Sequence, residues 1–210
     1  MPPDDNLSND VLDAAVRLQD FCREQGWRFC FIGGLAVQKW SEPRVTDDVD
    51  VTLFTGFGTE GPFIEALLGL DWVEPRIPRA REFALTRRVL LLQTTGGVGI
   101  DVALGAFAFE EDAIRRGTEI TLLPGRALRL CTAEDLIVFK AFAARPQDWR
   151  DVEMTIVRQG DEALDWPYIH RQLRPLLELK EAPELFDQLE GLRGRLRRAK
   201  AAGDSGAGGL

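Results

Sequence analysis

Residues 44–54 read Arg44-Val45-Thr46-Asp47-Asp48-Val49-Asp50-Val51-Thr52-Leu53-Phe54. From Asp48 onward polar and apolar residues alternate, the period-two pattern of a half-buried strand. Val49, Val51 and Leu53 would face a core, and Asp48 and Asp50 leave together on the opposite face. Two anions on adjacent same-face positions repel each other unless a cation sits between them. A divalent ion meets that need, and Mg2+ (or Mn2+) is typically held by one or two carboxylates together with the phosphates of a nucleotide. Taken alone, the pair also fits a solvated polar face at a strand edge.

Just upstream, Trp27 to Ile32 reads as a short buried strand that stops at Gly33-Gly34, and Leu35 to Trp40 as a short helix starting on those glycines. A backbone without side chains there can approach a phosphate, with helix N–H groups pointing at it; an ordinary tight turn is the alternative. Downstream, Asp101 lies inside Val98-Gly-Ile-Asp-Val-Ala-Leu104. A carboxylate in an apolar strand is costly to bury unless it is paired or bound to metal. Asp48, Asp50 and Asp101 on neighbouring strands, beside a glycine turn, are therefore the expected metal and nucleotide site.

The remaining pattern frames this centre. Apolar residues at helical spacing from Val11 to Cys22, opened by Ser8 or Asn9 and closed by Gly26, predict a helix. Pro62 to Leu70 predicts another. Phe83 to Gln93 and Val98 to Leu104 read as strands joined by a Thr94-Thr95-Gly96-Gly97 turn. Thr132-Ala-Glu-Asp135 resembles a capping box and opens a helix to about Ala144. A second helix is expected from Gln147 to Arg158, and a third after Pro167, with Pro175 suggesting a kink or an early end. The tail from Ala201 is expected to be disordered. The predicted layout is an α/β core over residues 1–128, a helical region over 129–200 and a tail over 201–210.

Composition bounds the function. Of 210 residues, 45% are hydrophobic and 29% charged, which excludes wholesale disorder and suits one domain with a helical annex. Thirty-four acidic against twenty-six basic residues leave a net charge of −8. A generic nucleic-acid binder is thereby excluded, since phosphate affinity comes chiefly from Lys and Arg, and any nucleic acid would have to meet a local basic patch. The three cysteines, Cys22, Cys30 and Cys131, form no CxxC pair and are joined by one histidine, His170, which argues against a zinc site. Met1 to Asn9 lacks a basic-then-apolar signal, and the longest apolar runs are strand-sized, so a soluble cytoplasmic protein with no membrane partner is expected.

A Gly-Gly turn, thirteen intervening residues and then Asp-Val-Asp-Val resembles the signature of the nucleotidyltransferase superfamily related to DNA polymerase β. The closer resemblance is to its AbiEii-type group, which includes toxins of bacterial toxin–antitoxin systems. In that group Arg-x-Thr-x-Asp-apolar-Asp occupies the place of Arg44 to Asp50. An acidic-Leu helix with a lysine follows, here Glu134-Asp135-Leu136 to Lys140, and then a basic-Asp pair opening the next helix, here Gln147-Asp148-Trp-Arg-Asp151. Gln147 stands where the group usually has Arg or Lys.

The resemblance implies an α/β (α+β) fold, a nucleotidyltransferase-like mixed sheet with flanking helices followed by a helical C-terminal part. It implies transfer of a nucleoside monophosphate from an NTP to a hydroxyl, with release of pyrophosphate. Asp48 and Asp50 would hold the metal on the phosphates, and Asp101 would complete a second metal site and activate the attacking hydroxyl. Gly33 and Gly34 would cradle phosphate, Lys140 would place its ammonium on the triphosphate, and Arg44, Thr46, Asp148 and Asp151 would join the nucleotide site. Each has a plainer alternative: Lys140 snorkelling to solvent, Asp148 and Asp151 complementing a helix dipole, Arg44 and Thr46 bracing a loop. His170 reads as packing or surface, and the basic run Arg193 to Lys200 as a solvated helix end that could also track RNA. The implied partners are an NTP, tRNA or another RNA as acceptor, and an antitoxin protein. The competing functions are an aminoglycoside-type small-molecule nucleotidyltransferase and a catalytically silent nucleotide-binding partner protein.

Overall fold

The computed structural model describes residues 7–207. The chain divides into two compact units, one running up to Lys39 and over Pro43–Thr132, the other comprising Trp40–Glu42 and the chain from Ala133 onward.

The first unit holds α1 (Asn9–Glu24), β1 (Phe29–Phe31), α2 (Gly33–Trp40, whose last residue belongs to the second unit), β2 (Asp48–Phe54), α3 (Gly61–Leu68), β3 (Val73–Pro75), α4 (Ala80–Arg87), β4 (Val89–Thr94), β5 (Gly99–Gly105), α5 (Ala108–Arg116), β6 (Thr118–Leu123) and β7 (Arg126–Leu130). Its seven described strands form one mixed sheet in the order β3-β4-β5-β2-β1-β7-β6. The central pair, β2 and β5, is parallel, and β1 runs antiparallel to β2.

Alternation decides which face is buried. Phe29, Phe31, Val49, Val51, Leu53, Leu90, Leu92, Ile100, Val102, Leu104, Leu128 and Leu130 project to one side, where α1, α3 and α4 complete a single apolar cluster. At about 25 cal/mol per Å2 of apolar surface removed from water, this face is what holds the sheet in register, because a one-residue slip would expose all of it. Helix α1 starts as the sequence predicts: the Ser8 hydroxyl accepts the Val11 N–H at 3.2 Å. Its one buried amide, Gln19, behaves as a strand partner. It donates to the Ala127 carbonyl and accepts the Arg129 N–H, at 2.9 and 2.8 Å.

Two expectations are corrected. The segment Phe83–Arg87, expected to be strand, is helical. Buried Ala80 and Ala84 stand four apart, and left-handed residues at Arg79 and Arg88, φ 55° and 56°, bound the element. Only Val89 onward has the alternation a strand needs. Secondly, Pro175, expected to kink its helix or end it early, does not end it early. The second unit holds α6 (Ala133–Ala143), α7 (Pro146–Gln159), a 3-10 turn (Asp161–Ala163), α8 (Trp166–Leu179) and α9 (Glu184–Ala207), and α8 runs through Pro175. Trp166, Tyr168, Ile169, Leu173 and Leu177 bury its apolar face on both sides of the proline, and that packing outweighs one lost backbone bond.

Helix α9 is described through Ala207, into the stretch expected to be disordered. Extension of an existing helix adds one bond per residue without a new nucleus. Residues 208–210 of that stretch, and 1–6 at the other end, lie outside the described residues. Among the described residues no helix is long and apolar enough to cross a membrane.

Candidate functional site

The parallel pairing of β2 with β5 sets Asp48 opposite Gly99 and Asp50 opposite Asp101. In parallel strands register partners project to the same side. Asp48, Asp50 and Asp101 therefore share the face opposite the apolar cluster, all three half-buried.

Each carboxylate has a different environment. Asp50 Oδ2 accepts the Gly34 N–H at 3.4 Å, which places its charge at the N-terminus of α2. Gly33 has a φ of +54°, and a Cβ built on it would lie 1.9 Å from Asp50 Oδ2, so only glycine lets the turn and the carboxylate coexist. Asp48 has no hydrogen-bond or ion-pair partner among the described residues. Asp101 is held through Oδ1 by the Arg76 guanidinium at 2.5 Å. Burial raises its carboxyl above the ordinary range; the charge and hydrogen bond of Arg76 act against that rise, and the charge of Asp48 adds to it.

Among the described residues no three His, Cys, Asp or Glu side chains are gathered closely enough to hold a metal ion by themselves. Asp50 faces the α2 amide and Asp101 faces Arg76. The donors are nevertheless all hard oxygens, the set that suits Mg2+ or Mn2+ when phosphate oxygens complete it. On the same strand face, the buried Thr52 hydroxyl has no hydrogen-bond partner, so a polar atom there awaits one.

The flanking loop is braced by the predicted residues. Buried Thr46 donates its hydroxyl to the Arg44 carbonyl at 3.3 Å and accepts from Gln38 Nε2 at 3.1 Å. A Cβ on Gly34 would meet Thr46 Cγ2 at 2.6 Å. Gly33 and Gly34 thus each admit one side chain of the following strand and loop, Asp50 and Thr46. Gly33→Ala is expected to add about 1–2 kcal/mol of left-handed strain, beyond the clash with Asp50. Its melting temperature should fall in a thermal-shift measurement; a wild-type melting temperature would show that the turn tolerates a side chain.

Lys140, Asp148 and Asp151 meet in the second unit, all three buried. Lys140 Nζ lies 2.9 Å from Asp148 Oδ1 and 2.8 Å from Asp151 Oδ2. Its ammonium does not snorkel to solvent. Asp148 also accepts the Arg145 N–H at 3.1 Å, satisfying the start of α7, and pairs with Arg145 Nε at 2.7 Å. Burial raises the Asp148 carboxyl, but the hydrogen bonds and charges of Arg145 and Lys140 outweigh it and hold it below the ordinary range.

Two contacts have no sequence signal of their own. Arg76 lies 25 positions from Asp101 in a turn between Pro75 and Pro78. Asp135, expected as the acidic residue of a capping box, is fully buried and accepts the Tyr168 hydroxyl at 2.6 Å, a contact across 33 positions. His170 packs against Phe186 and Trp166 and pairs with Glu190 at 2.9 Å. In the basic run, Arg193 and Arg197 are held by Asp161 at 2.7 and 3.1 Å, which leaves only part of it as a charged surface.

No protein-family model matches the chain, and no curated protein does. Among solved structures it is similar to an antigenic nucleotidyltransferase-like protein from Paracoccidioides brasiliensis, at 18% identity over 88% of this chain and 94% of that one, with a TM-score of 0.50. It is also similar to the lincosamide antibiotic adenylyltransferase LnuA in its lincomycin-bound form, at 12% identity over 72% of this chain and 98% of that one, TM-score 0.49. A third is the antibiotic-resistance factor ANT(2'')-Ia, at 18% identity over 97% and 100%, TM-score 0.45. The first likeness establishes the fold, a nucleotidyltransferase-like mixed sheet with flanking helices.

Proposed function

We propose that this protein transfers a nucleoside monophosphate from an NTP to a hydroxyl acceptor, with Mg2+ or Mn2+ and with release of pyrophosphate. The observation that carries the proposal is the β2–β5 register, which brings Asp48, Asp50 and Asp101 to one face beside the Gly33 turn. In the reaction the acceptor oxygen attacks the α-phosphorus and forms a new P–O bond. The bond from that phosphorus to the bridging oxygen breaks, and pyrophosphate leaves with its electron pair. The hydroxyl proton passes to Asp101 Oδ2, the oxygen that Arg76 does not engage and that has no hydrogen-bond partner among the described residues. A carboxyl raised by burial is the better proton acceptor.

Asp48 and Asp50 would hold the divalent ion, which supplies charge neutralisation to the triphosphate when bound. The Gly33-Gly34 backbone, with Asp50 against it, shapes the turn on which phosphate would rest. By resemblance Lys140 takes a place on the triphosphate, with Asp148 and Asp151 orienting its ammonium. The Arg44-to-Asp50 and Lys140-to-Asp151 motifs favour RNA, tRNA included, as the acceptor, in the manner of the AbiEii-type toxins, and a cognate antitoxin would belong with that role. The net charge of −8 favours a cationic small molecule as the second candidate acceptor.

Incubation with each labelled NTP, Mg2+ or Mn2+, and either total tRNA or an aminoglycoside panel discriminates the acceptors. Label on RNA is expected. Label on the drugs alone would replace the acceptor and keep the reaction, and label on neither with any NTP would overturn transfer in favour of a silent nucleotide-binding partner.

A further inference from the structure

The third carboxylate is already neutralised by the chain itself. Arg76 Nη2 meets Asp101 Oδ1 at 2.5 Å, and both side chains are largely shielded, at 33% and 29% exposure. Its backbone is fixed rather than free to drift: the Arg76 N–H donates to the Leu91 carbonyl at 3.0 Å, and Leu91 is the register partner of Asp101 on β4. Pro75 and Pro78 flank the turn and restrict its φ.

Gly99 makes room for the guanidinium. A Cβ there would lie 2.7 Å from Arg76 Nη1 and 3.4 Å from Asp48 Cβ, so the guanidinium lies directly over Gly99 and a larger residue there would make it shift. Gly99 is the register partner of Asp48, which puts the cation on the carboxylate face itself.

We infer that Arg76 stands in for a second metal: it holds Asp101 out of the metal set, so that nucleotide binds with a single divalent ion carried by Asp48 and Asp50. This inference rests on the proposed nucleotidyl transfer and sharpens it. A guanidinium and a divalent ion compete for the same oxygen and repel each other at that range, so occupation of Oδ1 by Arg76 disfavours a second ion. The single Nη2–Oδ1 contact fixes one carboxylate oxygen and leaves Oδ2 without a hydrogen-bond partner among the described residues, so Arg76 acts as a positioning residue for the proton acceptor.

The test counts ions instead of turnovers. Mn2+ is titrated by electron paramagnetic resonance into the full chain with a non-hydrolysable α,β-methylene NTP, in wild type, Arg76→Gln, Arg76→Lys and Asp48→Asn. Wild type and Arg76→Lys should each bind one Mn2+, and Arg76→Gln should gain a second ion at least tenfold more tightly than wild type does. Asp48→Asn should lose the first. Two ions in wild type, or no second ion in folded Arg76→Gln, would overturn the role of Arg76 and leave nucleotidyl transfer standing. Should Arg76→Gln fail to fold by circular dichroism, the wild-type count decides, since two ions there exclude the inference and one supports it. Failure of wild type to take up Mn2+ with any nucleotide would overturn the proposed function and this inference with it.

Discussion

Asp48→Asn is expected to lower kcat for nucleotidyl transfer by at least about 10²- to 10³-fold, the range seen when one preorganised stabiliser of transition-state charge is removed. The metal-free melting temperature should stay unchanged or rise slightly. Asp48 has no hydrogen-bond or ion-pair partner among the described residues and sits where its charge opposes that of Asp101. Neutralising it relieves repulsion and strands nothing. Asp50 behaves differently, because its carboxylate accepts the Gly34 N–H at the start of α2. Asp50→Ala should lose transfer as well, together with about 1 kcal/mol of stability from the missing cap.

Radiolabel transfer and scanning calorimetry on the two variants, side by side, measure the contrast. A folded Asp48→Asn that transfers nucleotide at the wild-type rate would remove Asp48 from the site. If the protein is a toxin, Asp48→Asn should also relieve growth arrest when it is expressed alone. Persistent arrest in a folded, transfer-dead variant would sink the toxin role only.

The second large effect lies in the helical unit. Lys140→Met leaves Asp148 and Asp151 buried without their shared ammonium, and breaking a buried pair in this way costs about 3–5 kcal/mol. Arg145 still pairs with Asp148, which places the expected loss toward the lower end of that range. At about 2–4 °C per kcal/mol for a chain of this size, the melting temperature should fall by at least roughly 6 °C.

The acid side gives a separate signature. The folded Asp148 carboxyl is held below its ordinary value, so its pairing contributes stability above the unfolded value of about 3.9, lost as pH falls through the lower folded value. In Lys140→Met the stranded carboxylates are costly only while charged, so the deficit relative to wild type should narrow as pH drops toward 4. Melting curves of both proteins between neutral pH and about pH 4 measure this. An unchanged melting temperature with weakened nucleotide binding would mean that Lys140 serves the triphosphate alone.

Local sequence determined a good deal of this protein. The Asp48–Phe54 alternation fixes a strand and its two faces because side chains on a strand project with period two, whatever surrounds it. Gly33-Gly34 marks a turn, and Ser8 marks a helix start, because both act through the adjacent backbone. Over Phe83–Arg87 the local signal misled: a run of apolar residues is compatible with helix or strand, and the spacing of buried Ala80 and Ala84 became decisive only once the sheet lay beneath them. Tertiary structure alone decided the partners. The parallel register that sets Asp50 beside Asp101 joins strands far apart in sequence, and the Arg76 guanidinium reaches Asp101 across 25 positions because Gly99 leaves it a path. Lys140, read from the sequence as a nucleotide ligand or a surface cation, is buried between two aspartates because α6 and α7 fold against each other. Period and capping are properties of neighbouring residues, whereas charge pairing depends on which distant groups the fold brings within about 4 Å, and no spacing along the chain encodes that distance.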